Sequence, residues 1–182
     1  MQMTHRQTRR RLLAVATAAL CAPSLLLSSH ARASQAPRRL AFVHLHTGEK
    51  LSAVYAEGDT YVPEALASID RLLRDHRTGD IHPIDPKLLD QLAALSVLTG
   101  GTRPYEVICG YRSPATNAML SERSGGVAVS SLHLDGRAID VRLAGVPLTR
   151  LHAAARSMAA GGVGYYPRSN FIHLDTGAVR EW

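Results

Sequence analysis

Apolar residues in this chain recur with two different periods, and the two alternate along its length. Leu40 to His46 and Leu51 to Ala56 read as strands, and Thr47-Gly48-Glu49-Lys50 between them reads as a hairpin turn. In the first of these strands His44 and His46 share a face, because strand side chains alternate. Leu66, Ile69, Leu72 and Leu73 then fall at helical spacing behind Pro63, a residue suited to a first helical turn. This helix is expected to run to about Arg77, with Gly79 beyond its end. A second leucine stripe (Leu88, Leu89, Leu92, Leu95, Leu98) follows Asp85-Pro86, a cap and a first-turn proline, and stops at Gly100-Gly101. Such stripes are core rather than binding surface.

Tyr105 to Cys109 predicts a core strand, with Cys109 as a small buried hydrophobe. A short helix is expected from Thr116 to Ser124, ended by Gly125-Gly126. A strand follows over Ala138 to Leu143, then a helix over Leu148 to Met158, with Thr149 or a neighbour near its start and Gly161-Gly162 closing it. Val163 to Tyr165 and Phe171 to Leu174 read as two last strands joined by a turn at Pro167-Arg168-Ser169-Asn170. No internal repeat is visible. The pattern predicts an α+β fold: one small single domain, a mostly antiparallel sheet with helices packed on it.

The first 33 residues stand outside that pattern. Arg6, Arg9, Arg10 and Arg11 precede an apolar run from Leu12 to Leu27, and Ala31-Arg32-Ala33 follows. This is the layout of a secretory signal peptide. A membrane anchor is the other reading, but the run falls short of the roughly 20 residues a span needs and Pro23 interrupts it. No stable membrane insertion is expected after cleavage. Thr8-Arg9-Arg10-Arg11-Leu12-Leu13 has the form of a twin-arginine signal. Cys21 is no lipidation site, because Leu20 stands where a small residue is needed. Residues 34–39 read as a flexible lead-in to a domain over 40–182.

The leader changes the meaning of the charge. The whole chain has 21 Lys+Arg against 15 Asp+Glu. Five of those arginines and no acid lie in residues 1–33, leaving 16 basic against 15 acidic side chains, a charge of +1. The basic balance belongs to the leader and implies no nucleic-acid partner. After cleavage Cys109 is the only cysteine, so no internal disulfide is available and the fold rests on its core.

The informative segment is Ser131-Leu132-His133-Leu134-Asp135-Gly136-Arg137-Ala138-Ile139-Asp140. Ile139, Val141 and Leu143 take one face of their strand and Ala138, Asp140 and Arg142 the other. Asp135-Gly136 supplies a turn able to fold His133 back beside Asp140. Near the end of the chain Phe171, His173 and Asp175 share a face by the same alternation. Two imidazoles and a carboxylate with a fourth position open to water suit a catalytic zinc ion, which would polarise a scissile carbonyl. His44-Leu45-His46 is a competing histidine pair, ranked below.

Ser131-x-His133-x6-Asp140 with a later His173 resembles the signature of the M15 zinc peptidases of the cell wall. Leu45-His46-Thr47-Gly48-Glu49, Gly110-Tyr111-Arg112-Ser113, the run Gly161 to Phe171 and His173-x-Asp175-Thr176-Gly177 resemble its MepK branch, over nearly all of the mature chain. The resemblance implies the M15 (Hedgehog-like) metallopeptidase fold, one Zn2+ ion on His133, Asp140 and His173, a place in the periplasm, and peptidoglycan peptide stems as substrate. It implies a murein D,D-endopeptidase cutting D-Ala–meso-diaminopimelate cross-links during wall growth. Arg112 matches a substrate-facing arginine, able to hold a carboxylate or an oxyanion; a structural salt bridge is the alternative.

One departure concerns the base. Other M15 members carry a Glu three residues before the last ligand or a His two before it; here those positions are Asn170 and Phe171. Asp175, on the face of His173, is the first candidate for the catalytic base, and orienting the imidazole is its other possible role. Ser113 and Ser131 read as orienting or turn residues, and Tyr165, Tyr166 and Arg168 as groove candidates. Two other functions stay open at this point, a non-catalytic wall-binding domain and a D,D-carboxypeptidase.

Overall fold

The computed structural model describes residues 36–123 and 131–182, all in the compact unit Ser34–Trp182. The expected leader and the expected helix stop at Gly125-Gly126 lie outside the described residues. In chain order the elements are β1 (Arg38–His44), β2 (Lys50–Glu57), β3 (Thr60–Tyr61), α1 (Pro63–Leu72), α2 (Pro86–Thr99), β4 (Tyr105–Cys109) and α3 (Pro114–Arg123). A 3-10 turn (Leu132–Asp135), β5 (Ala138–Leu143), α4 (Leu148–Ser157), β6 (Gly162–Tyr166), β7 (Phe171–Asp175) and β8 (Arg180–Glu181) follow.

The strands make one sheet in the order β3-β2-β1-β4-β5-β7-β6-β8. Pairing is antiparallel except for β1 with β4 and β6 with β8. This is the α+β, mostly antiparallel architecture expected. Helix α1 packs on β2, α2 on β1, and α4 on β5, β6 and β7. Leu40 and Phe42 of β1, Val141 and Leu143 of β5, and Ile172 and Leu174 of β7 meet Ile69, Leu88, Leu92 and Leu151 in a single apolar cluster. Burial of such side chains contributes roughly 1.5–3 kcal/mol each. One face of the sheet is thereby committed to the helices, and the other is left for polar chemistry.

Local hydrogen bonds explain where the elements differ from the sequence pattern. Strand β1 starts at Arg38, two residues before the expected Leu40, because Arg38 pairs with Asp90 on α2 and stacks on Tyr55 and Tyr61. Helix α1 ends at Leu72 instead of near Arg77. The Asp75 side chain takes the backbone N–H of Arg77 at 2.9 Å, a local bond that competes with the helix. The same carboxylate then accepts from Ser113 N at 2.9 Å and Ser113 Oγ at 2.6 Å. His46 lies in the turn after β1, so it does not share a strand face with the buried His44. Asp85 caps α2 as expected, accepting from Lys87 N at 3.0 Å. Its other oxygen accepts from Thr176 Oγ1 at 2.7 Å and so ties the helix to the end of β7. Helix α4 is preceded by Pro147, with no side-chain cap from Thr149.

Candidate metal centre

Asp140 is the hub of a row that crosses four adjacent strands. Cross-strand register pairs it with Cys109 on β4 and with His173 on β7, and pairs His173 with Gly164 on β6. Residues opposite one another in a ladder project to the same face. Cys109, Asp140 and His173 therefore stand together on the face turned away from the helices. Alternation alone would put Cys109 on the core side with Tyr105 and Val107. A β-bulge between Val107 and Cys109 inserts one residue and reverses it. Cys109 is buried, as expected, but in the polar site and not in the apolar core.

His133 arrives from outside the sheet. The 3-10 turn that carries it starts at Ser131, whose Oγ accepts from His133 N at 3.4 Å. It ends at Gly136 in the left-handed region, with φ of 64°. A side chain there would also strike the Pro83 carbonyl, 2.1 Å from an added Cβ. The expected turn at Asp135-Gly136 thus brings His133 beside Asp140. Arg112 N holds the His133 carbonyl at 3.0 Å.

The far nitrogen of each imidazole is occupied. His133 Nδ1 lies 2.7 Å from the Gly110 carbonyl, which can only accept, so Nδ1 carries a proton and, in the neutral ring, Nε2 is bare. His173 Nε2 lies 3.1 Å from Asp175 Oδ2, so in the neutral ring Nδ1 is bare. The two bare nitrogens are 3.2 Å apart. Asp140 Oδ1 sits 3.0 Å from His173 Nδ1 and 3.4 Å from His133 Nε2. Three lone-pair atoms facing one another repel unless a positive charge lies among them. Bonds of about 2.0–2.1 Å in tetrahedral zinc sites give edges of roughly 3.3 Å between ligand atoms. The observed separations match that edge, and the residues present fit a metal ion.

The electrostatics agree. Burial disfavours a charged His133, but the Asp140 carboxylate and the Cys109 sulfur outweigh it and raise the imidazole to about 10. Burial would likewise push the Asp140 carboxyl up; the His133 and His173 imidazoles hold it well below the usual carboxylate range. The cluster is built to hold a positive charge, as a proton on His133 or as a metal ion. A second grouping shares two of the atoms' owners: Cys109, His133 and Asp140 each offer a donor atom within 4.8 Å of the others. These three can hold a metal ion, and Cys109 is invisible as a ligand in the sequence because the bulge has no signature in the run Val107-Ile108-Cys109.

Asp175 is fully buried on the far side of His173. Its oxygens accept from Gly162 N, Gly177 N and both terminal nitrogens of Arg180, at 2.7–3.1 Å. Burial opposes its charge, yet the bonds from His173, the two glycine N–H groups and Arg180 keep the carboxyl well below its usual range. The sequence pattern gives Gly161 and Gly162 the closing of a helix and a place in the run that carries the resemblance; the structure gives them a further part. An added Cβ would lie 1.8 Å from the Asp175 carbonyl at Gly161 and 2.4 Å from Asp175 Oδ2 at Gly162. Their function in the fold is to let this carboxylate in.

Arg112 is also buried, with Nη2 3.7 Å from Asp140 Oδ2 and 3.6 Å from Cys109 Sγ, and Nη1 3.4 Å from Asn117 Oδ1. Its Nε–H has no acceptor among the described residues. Of the groove candidates, Tyr166 stacks on Phe171 on the site face, with centroids 4.6 Å apart. Tyr165 stacks on His152 of α4 instead, 4.5 Å away on the helix side. Arg168 lies exposed in the β6–β7 turn. Trp182, not singled out by pattern, lies 5.2 Å from the His173 ring and donates to Tyr166 Oη at 2.8 Å. Gly164 leaves room for that indole, whose atoms come within 2.9 Å of an added Cβ. His44, His46 and His76 cluster elsewhere, with the His46 and His76 rings stacked at 4.2 Å.

Residues 32–182 match the family model Peptidase_M15_2, described as "Peptidoglycan L,D-endopeptidase MepK". The peptidoglycan L,D-endopeptidase MepK of Escherichia coli K12 is 47% identical over 175 residues, 96% of each chain. The Haemophilus influenzae protein named "Probable peptidoglycan L,D-endopeptidase MepK" is 48% identical over 147 residues, 80% of this chain and 79% of that one. Among solved structures, the Serratia marcescens L-Ala D-Glu endopeptidase ChiX matches at 24% identity and a TM-score of 0.33, over 42% of this chain and 62% of its own. The family and relatives are named for L,D cleavage. They overturn the expected D,D specificity at D-Ala–meso-diaminopimelate bonds, a distinction that no ligand residue encodes. The D,D-carboxypeptidase and the non-catalytic binding domain fall with it.

Proposed function

Because the chain belongs to the Peptidase_M15_2 family of MepK peptidoglycan L,D-endopeptidases, we propose that it is an exported, zinc-dependent endopeptidase. It cuts peptidoglycan peptide cross-links at a bond between an L and a D centre. The observation that carries this reading is the trio of bare atoms on His133, Asp140 and His173, 3.0–3.4 Å apart. Those residues would hold one zinc ion. Bound there, zinc supplies Lewis-acid polarisation of the scissile carbonyl and lowers the pKa of a water.

The remaining roles belong to the protein. Gly110 O and Asp175 fix the tautomer and aim of the two imidazoles. Asp175 is better suited to that positioning role than to the catalytic base, because every contact around its oxygens is with a donor of the fold. Arg112 offers an unpartnered Nε–H beside Asp140, suited to a substrate carbonyl or carboxylate. The arginine-rich leader supports periplasmic action and export by the twin-arginine route.

The test is digestion of purified muropeptide dimers joined by L,D or D,D cross-links, read by mass spectrometry. L,D dimers should become monomers, chelation should stop this and zinc should restore it, while D,D dimers persist. Cleavage indifferent to chelation, or no cleavage with zinc present, would overturn the proposal.

A further inference from the structure

The open face of the sheet continues beyond the metal row. Arg142 lies two residues past Asp140 on β5 and projects to the same side, roughly 7 Å further along the strand. Its register partner on β4 is Glu106, and Arg142 Nε donates to that carboxylate. This ion pair anchors one edge of the guanidinium. The terminal nitrogens Nη1 and Nη2 make no hydrogen bond with any described residue. Arg142 lines a cavity of about 310 Å3, together with Arg103, Glu106, Val146, Leu148 and Asn170. Arg103, also in the lining, has no ion pair among the described residues. The cavity therefore holds two guanidinium groups against one carboxylate that is already paired.

This chemistry suits an anion with a planar, two-oxygen head. A guanidinium fork matches a carboxylate bidentately. An extended peptide advances about 3.3–3.6 Å per residue, so a chain laid along β5 from the metal row reaches Arg142 after two residues. Phe171, on the same face of β7 as His173, is stacked on Tyr166 beside this path.

Resting on the endopeptidase reading, we propose that this cavity is a carboxylate subsite. Arg142, aided by Arg103, grips a free carboxylate of the peptide stem about two residues from the bond that is cut. Glu106 aims Arg142 and does not itself touch substrate. Arg142 is thus a specificity determinant, distinct from the residues that would hold the metal.

The experiment compares cross-linked muropeptides with the same peptides whose free carboxylates have been amidated. The wild-type protein should prefer the acid form. In Arg142→Met the KM for the acid form should rise about 10- to 100-fold, as for loss of a charge-assisted pair, and the preference over the amide should vanish. Arg103→Met, which breaks no ion pair, should shift KM in the same direction by less. Binding of the uncleaved acid and amide peptides to chelator-treated protein, followed by calorimetry, reads the subsite without turnover. If wild-type protein cleaves nothing but still binds acid over amide through Arg142, the endopeptidase reading fails and the subsite stands. Equal binding of acid and amide, or an unchanged preference in both variants, overturns the subsite.

Discussion

Asp175 Oδ2 accepts the Nε2–H of His173 at 3.1 Å from two positions further along the same strand. Strand alternation makes the pair possible, and Gly162 and Gly177 complete it with backbone N–H groups. Asp175→Asn keeps the shape and removes the charge. Zinc affinity is expected to fall about 10- to 100-fold, the usual effect of losing a partner of this kind. Competition against a chromogenic chelator measures it. A variant with wild-type affinity and no turnover would return Asp175 to the role of base.

Gly161→Ala brings a methyl onto the Asp175 carbonyl, a backbone atom that cannot step aside. A loss of about 3 kcal/mol is expected, which for a domain of this size lowers Tm by roughly 6–12 °C. A melting curve within 2 °C of wild type would show that the 161–162 backbone adapts.

Cys109 and His173 compete as the third protein ligand. With the proposed set, Cys109→Ala retains metal within a few-fold and His173→Ala loses it. Cobalt replacement gives an independent reading, since a thiolate ligand adds an intense near-ultraviolet band. That band in the wild type, absent in Cys109→Ala, would place sulfur on the metal.

Arg112 has little freedom to be replaced. Arg112→Lys loses the fork that spans Asn117 and Cys109, and an ammonium does not substitute for it. If its free Nε–H meets the developing oxyanion, kcat falls about 10²- to 10³-fold with little change in zinc content. Steady-state kinetics on metal-matched samples decide this. A loss confined to zinc content would make Arg112 a support for Asp140 alone.

Asp75 sets a pH dependence. Burial pushes its carboxyl up, but bonds from Ser113, Thr116 and the Arg77 backbone win and hold it well below the usual range. A carboxylate depressed in the folded state contributes stability that is complete above its unfolded pKa of about 4. That contribution is lost as pH falls below it. Asp75→Asn should cost on the order of 2 kcal/mol at pH 7 and flatten the acid limb of the stability curve. Urea titrations at pH 7 and pH 3 check both; parallel limbs would remove Asp75 as the cause.

Much of this was legible in the residue pattern because it depends on short-range rules. Strands Tyr105–Cys109 and Ala138–Leu143 fall where the apolar runs place them, and Asp85 caps α2 with its own side chain. His133, Asp140 and His173 meet because alternation and one tight turn fix their faces. What stayed hidden depends on long-range contacts. The bulge that turns Cys109 over exists only opposite β5. The early end of α1 depends on Asp75 bonding across to Ser113. Strand β8 is two residues long, too short to show a period, yet it carries Trp182 to the site. The L,D cleavage for which the family and relatives are named could not be read from the ligand residues, because the motif residues name a metal and not the bond presented to it.

The outermost strands, β3 and β8, are two residues each. On the β8 side, where Tyr165 N also donates to the Trp182 carbonyl, so short a margin offers few unpaired amides to a neighbouring chain, and edge-to-edge addition there is disfavoured. Arg180 and Glu181 make the β8 margin charged as well, with Glu181 paired to Arg156. For the proposed endopeptidase, a charged margin of this kind does not pair with extended peptides and leaves their capture to the open face of the sheet.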